Sequence, residues 1–294
     1  MVAFVDRLVL RQRELKHPLC VGLDPHLDRI PAAFRAGTMT PDDPVTVEVV
    51  ERFFREVIDR LAGRVASVKP QIAFFEQLGW RGLRAFEHLV ERCHERELLV
   101  VIDAKRGDIG STAAGYARAY FGPTSALSAD ALTVNAYLGL DTLEPFVEAA
   151  AGAEGGLFVL VKTSNPGSGD LQALEVDGRP VYLHLATALG ERAAHLVGKT
   201  GFSGLGAVVG ATYPEDAKRV REVMPEALLL VPGFGAQGAS AADAVSGFVR
   251  GDHGLEGGLV NASRSVVFPS ADHWAMAFDA ALSRAIDELG AAVT

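Results

Sequence analysis

Cysteine is nearly absent: the 294 residues contain two, Cys20 and Cys93. One lies in an apolar run and the other in a segment with helical spacing, so both read as small buried residues and not as a disulfide framework. A reducing compartment follows, and the cytoplasm is the expected location. An excess of positive charge is also missing. Lys and Arg total 28 against 37 Asp and Glu, for a formal net charge of -9, which repels a polyphosphate backbone unless a local basic patch overrides it. Nucleic acid is therefore not an expected partner. Long hydrophobic runs are lacking too, since residues 98–102 and 157–161 fall far short of the ~20 needed to span a bilayer. The opening MVAFVDRLVLRQRELK is interrupted by Asp6 and Arg7 and places Phe4, Leu8 and Leu15 near one helix face. It has no signal-peptide core, and no membrane association is expected. The eight histidines form neither an i, i+4 pair nor HExxH, so a zinc site is not expected.

What the chain does have is apolar substance. Hydrophobic residues make up 49% and charged residues 22%, enough for a sizeable core. Short runs rich in Val, Ile and Leu, each bounded by Gly, Pro or a polar residue, predict eight strands at 19–24, 65–69, 98–103, 131–135, 157–163, 205–210, 228–231 and 258–263. Most are apolar throughout, as parallel strands covered on both faces must be. Between them lie amphipathic stretches. Residues 45–61 carry Val49, Phe53, Val57 and Leu61 at four-residue steps, with Glu51, Arg52, Arg55 and Asp59 turned elsewhere, which predicts a covering helix. Residues 75–96, 140–151, 181–198, 214–224 and 273–289 read alike, and 111–121 and 239–248 complete the alternation.

Eight strands alternating with about eight helices, with no Ser/Gly/Pro-rich linker between halves, predict an α/β fold: a closed (β/α)8 TIM barrel. A single domain over 1–294 with an N-terminal helix is the economical reading. The long connections 25–44 and 164–180 follow strands one and five, at the C-terminal face where barrel active sites are built. Polar residues concentrate at the same strand ends: Asp24, Lys69, Asp103 with Lys105, Asn135, Thr163 with Ser164, and Ser263 with Arg264. One such residue is commonly a solvated rim group. Several converging on one mouth ask for chemistry.

The densest group is the run DAKRGDIGST at 103–112. In extended conformation Asp103 and Lys105 share a face, and Asp108 follows Gly107, where the chain can turn. Alternating charges of this kind hold a lysine protonated beside a substrate, ready as a general acid. The second group is PGFGAQG at 232–238, followed by NASR at 261–264. Glycines let backbone N–H groups approach an anion, and a helix beginning near Ala239 would aim its positive end there. Arg264 adds a planar donor fork, in the loops where barrels frequently bind phosphate.

Together with VGLDP at 21–25, SVKPQ at 67–71, TVNAY at 133–137 and VKTSNPGSGDLQ at 161–172, these motifs closely resemble orotidine 5′-monophosphate decarboxylase, in its longer-chain subgroup. The resemblance spans strands one to eight. It implies conversion of orotidine 5′-monophosphate to uridine 5′-monophosphate and carbon dioxide, in pyrimidine biosynthesis, with no metal or organic cofactor. It assigns Lys105 to stabilising and protonating the C6 carbanion and Asp103 to the side of the departing carboxylate. Asp108 would come from the other subunit of a homodimer and complete a charge network with Lys69 and Lys105. Asp24 and Lys69 would meet the ribose, Thr112 would reach over from the partner, and Ser164 would read the pyrimidine amide edge. Pro232, Gln237 and Arg264 would line the base and phosphate end. Ser263 stands where shorter-chain members often have glycine.

Three other readings compete. Val161-Lys162-Thr163-Ser164 resembles the lysine segment of deoxyribose-phosphate aldolases, which would make Lys162 a Schiff-base nucleophile. A magnesium-dependent sugar-phosphate decarboxylase of the same superfamily would need a further carboxylate, for which Glu76 is the nearby candidate. A barrel that only binds phosphorylated ligands would need no chemistry at all.

Overall fold

The computed structural model describes residues 3–122, 124–125, 127–235, 238–270 and 273–294. Eight strands close a parallel barrel in the order β1-β8-β7-β6-β5-β4-β3-β2. They are β1 (Leu19–Leu23), β2 (Ser67–Pro70), β3 (Leu99–Arg106), β4 (Ala131–Val134), β5 (Gly156–Lys162), β6 (Ser203–Val209), β7 (Ala227–Pro232) and β8 (Gly258–Ala262). The (β/α)8 architecture and all eight strand locations agree with the sequence reading. The ends differ by a residue or two, except for β3, which runs on to Arg106. The run Gly204, Gly206 and Gly210, which imitates part of a dinucleotide fingerprint, lies in and just after β6.

Helices wrap the outside: α1 (Phe4–Leu15), α2 (Pro44–Leu61), α3 (Gly79–Glu95), α4 (Gly110–Tyr120), α5 (Glu144–Gly152), α6 (Val181–Ala193), α7 (Pro214–Val223) and α8 (Trp274–Val293). In α2 the predicted stripe is the buried one: Val49, Phe53, Val57 and Leu61 are buried. Asp43 caps this helix, accepting the Val45 amide, and Pro44 fills the first turn, where its missing N–H costs nothing. Among the described residues no helix is long and apolar enough to cross a membrane.

Two helical expectations need correction. The stretch 75–96 is not one helix, because Gly79 takes φ +66 and separates a turn over Ala73–Glu76 from α3. Of 239–248 only Ala241–Ala244 is helical. Its first amides are consumed locally: Ser240 Oγ accepts the Asp243 amide and the Asp243 carboxylate accepts the Ser240 amide. With one turn and an acidic cap, this segment brings no helix dipole to an anion.

Two apolar clusters hold the layers together. The larger lies between the strands and the outer helices. The smaller fills the barrel and is closed from below by α1, whose Phe4, Val5, Leu8 and Val9 are buried among interior residues such as Phe158, Val101 and Leu259. Phe4 meets Phe158 edge to face at 6.3 Å. Gly156 makes room for it, since a Cβ there would stand 2.5 Å from the Phe4 ring. Both cysteines are free and buried, and burial pushes the Cys20 thiol up to about 11, which makes it a poor nucleophile.

Candidate active site

The strand ends deliver the polar residues to one mouth. Lys69 on β2 and Asp103 on β3 are buried, and the Lys69 ammonium donates to Asp103 Oδ2 at 2.7 Å. Lys105 Nζ donates to the other carboxylate oxygen at 2.6 Å. One buried carboxylate is thus held between two lysines. Burial alone would raise the Asp103 carboxyl, but the charges of Lys69 and Lys105 and their hydrogen bonds hold it far below the usual carboxylate range. Burial likewise opposes the charge on Lys69, and Asp103 and Asp24 overcome it, raising the lysine above its ordinary value. The site therefore carries fixed ions in a poorly hydrated place, where charge acts more strongly than in water.

Asp103 and Lys105 do meet, but not by regular alternation. The β3–β4 register passes from Ile102↔Leu132 to Arg106↔Val134, so three residues of β3 stand opposite Thr133. Lys105 itself adopts φ +50, a left-handed conformation costly for a residue with a side chain. Thr133, buried in β4, donates its hydroxyl to Asp103 Oδ1 at 3.0 Å.

Lys69, Asp103, Lys105, Ser164 and Pro232 line one cavity of about 320 Å³, floored by Leu160, Val208 and Leu230, at the small end of the usual range for ligand sites. Asp24 stands at the β1 end near Lys69, and its buried Oδ1 has no hydrogen-bond partner among the described residues. The buried oxygens of Asn261 and Ser263 at the β8 end likewise have none among the described residues. Gly22 permits this crowding, since a Cβ there would lie 2.6 Å from that of Ser263. Beyond it, Gly233 (φ +106) and Gly235 (φ +75) shape the turn after β7. The ideal Cβ position of Gly235 lies 3.0 Å from Ser265 Oγ, so this turn closes against the one that starts at Arg264. Arg264 is exposed. Gln237 lies outside the described residues.

Asp108 and Thr112 do not line the cavity. The half-buried Asp108 accepts the Ile109 amide, and Thr112 is exposed in the first turn of α4. Lys162, the aldolase candidate, is buried outside the cavity lining: its ammonium donates to Ser168 at 2.6 Å and lies 3.7 Å from the centre of the Tyr213 ring. Glu76, the metal-ligand candidate, accepts from Arg106, which also reaches Tyr120. The motif reading missed Thr133 as a member of the charged array. Its only signal was a lone hydroxyl in an otherwise apolar strand.

A closed barrel with an ion array at the ends of its second and third strands, and a glycine turn after its seventh that closes against the turn after its eighth, defines an enzyme of the (β/α)8 barrel class. Residues 17–272 match the orotidine 5′-phosphate decarboxylase / HUMPS family, and the chain belongs to that family. Orotidine 5′-phosphate decarboxylase of Rhodopirellula baltica is 46% identical over 253 residues, covering 85% of this chain and 83% of the relative. The enzyme of the same name in Deinococcus radiodurans is 41% identical over 292 residues, covering 99% and 98%. In three dimensions the chain is similar to OMP decarboxylase of Leishmania donovani, with TM-score 0.77, 33% identity and coverage of 99% and 98%.

Proposed function

We propose that this chain decarboxylates orotidine 5′-monophosphate to uridine 5′-monophosphate in pyrimidine biosynthesis, using only its own side chains. The observation that carries the reading is the Lys69–Asp103–Lys105 array at the cavity, with Lys105 Nζ 2.6 Å from Asp103. Breaking the bond between C6 and the carboxylate leaves an electron pair at C6 with no adjacent π system to accept it. Fixed positive charge at that carbon is the remedy. Lys105 supplies the charge and then the proton, carbon dioxide departs beside Asp103, and the neutral lysine regains its proton from solvent.

The remaining roles follow the resemblance of the motifs to the family. Asp24 and Lys69 take the ribose hydroxyls, and Ser164 takes the amide edge of the base, with Pro232 beneath it. Arg264 and Gln237, with the backbone of the glycine turn, hold the phosphate. Binding energy from that remote group serves to assemble the charged site around the reacting carbon. Asp108 and Thr112 act on the neighbouring subunit of a homodimer. In support, they lie outside their own cavity, beside Ile109, whose apolar side chain is exposed. Residues 1–294 work as one barrel unit with its N-terminal helix, in the cytoplasm, with no nucleic acid or membrane partner.

The test is the absorbance of orotidine 5′-monophosphate incubated with pure protein and excess chelator. Conversion of the orotate ring to uracil is expected at an unreduced rate. An unchanged spectrum would sink the assignment, and activity lost on chelation would restore the metal-dependent reading.

A further inference from the structure

We infer that Thr133 is a positioning residue for the decarboxylation: its hydroxyl bridges the break in the β3–β4 ladder and thereby fixes both Asp103 and Lys105 at the reacting carbon. The inference rests on the function proposed above and goes beyond it to a residue on a different strand.

Where β3 bulges, Asp103, Ala104 and Lys105 face one residue of β4, and the ladder carbonyls cannot reach all their amides. Thr133 Oγ1 takes their place. It accepts the Ala104 amide at 3.0 Å and the Lys105 amide at 2.9 Å, and it donates its one proton to Asp103 Oδ1 at 3.0 Å. A hydroxyl has one donor and two acceptor sites, and all three are engaged. The residue is 1% exposed and belongs to the wall of the cavity. Lys105 is held at φ +50 with its amide tied to the same oxygen that anchors Asp103. The backbone that aims the ammonium and the carboxylate that balances it are therefore set by one atom. Asp103 in turn contacts both lysines, so a shift there reaches the whole array. Valine at 133 would keep the shape and strand preference but take this acceptor from the Ala104 and Lys105 amides and one donor from Asp103.

The test compares Thr133→Val with Thr133→Ser in the full-length chain, reading kcat and two affinities. One ligand is uridine 5′-monophosphate. The other is 6-hydroxyuridine 5′-monophosphate, whose C6 oxyanion puts negative charge where the carbanion forms. The valine variant is expected to lose about ten- to a hundredfold in kcat and a comparable factor in affinity for the oxyanion ligand, with uridine 5′-monophosphate binding unchanged. The serine variant should recover both to within about threefold of the parent. A role confined to stability would weaken the two ligands equally. Where the valine variant does not accumulate as folded protein, Thr133→Cys carries the comparison with a weak donor of similar shape.

A valine variant that keeps kcat and the oxyanion preference overturns the inference. So does a serine variant as impaired as valine, since the hydroxyl would then not be what restores the array. An active parent with either result isolates the failure to Thr133, whereas a parent inert toward orotidine 5′-monophosphate fails the functional reading itself.

Discussion

The two ends of the barrel handle buried charge in opposite ways. At the bottom every prominent ion is met by fixed partners. Asp130 accepts from Arg7, His94 and the Val100 amide, and Asp6 accepts from the amides of Lys199 and Thr200. Arg221 is buried with its donors spread over the carbonyls of Gly247, Met224, Pro225, Ala227 and Gly257, and burial lowers it to about 10. At the mouth, three buried oxygens of Asp24, Asn261 and Ser263 lack partners among the described residues, and a lysine sits on a left-handed backbone. The ions of the lower end have fixed partners, whereas at the mouth one oxygen of the Asp24 carboxylate has none among the described residues. On the proposed function, chemistry belongs to the mouth and the lower end serves stability, as is common for this architecture.

The comparison breaks first at Lys105. Lys105→Ala should lower kcat/KM for orotidine 5′-monophosphate by at least about 10³-fold, because the charge facing C6 disappears. The thermal midpoint should hardly move, since this side chain is the half-exposed member of the array. Full turnover by the variant would refute the assignment of the mouth to chemistry. Next comes the subunit boundary. Mixing inactive Asp108→Ala and Lys105→Ala chains should recover about a quarter of parental activity, since random exchange gives half heterodimers with one intact site each. Demonstrated exchange with no recovery would confine Asp108 to its own subunit.

The smallest effect belongs to the bottom. Asp130→Asn should leave kcat unchanged while costing about 1–3 kcal/mol of stability at neutral pH, measured by denaturant titration. Burial would raise the Asp130 carboxyl, but His94, the Val100 amide and Arg7 bring it below the usual range. A carboxyl lowered in the folded state stabilises fully above its unfolded value of about 4, and that stability is lost as pH falls through the folded value. The parent should therefore lose stability in acid over an interval where the asparagine variant changes less. Equal slopes would contradict the assignment.

Much of this division was legible in the sequence, for reasons that can be stated residue by residue. Strand cores such as Leu157–Val161 read directly because both faces are buried, and charged strand ends stood out against them. The polar residues at the bottom were not singled out, because Asp130 and Arg221 occur in ordinary polar surroundings and their partners lie far away in the chain. The bulge at Lys105 was also hidden, since Asp103 and Lys105 share a face in an ideal strand and would have met without one. Thr133 gave little signal, its threonine being a normal strand residue. The short turn at Ala241–Ala244 was overread because alanine favours a helix, while Ser240 and Asp243 supply a start and Val245 ends it after one turn.

The first helix, which closes the barrel from below, also has a bearing on the order of assembly. It precedes every strand in the chain, yet its contacts are with Asp130, Phe158, Glu256 and Gly258, all far downstream. During synthesis α1 emerges early and has nothing to seat against until most of the barrel has followed. Contacts of such long sequence separation form late and slow folding. The plug that closes the floor is thus made before every strand of the barrel and is among the last elements placed.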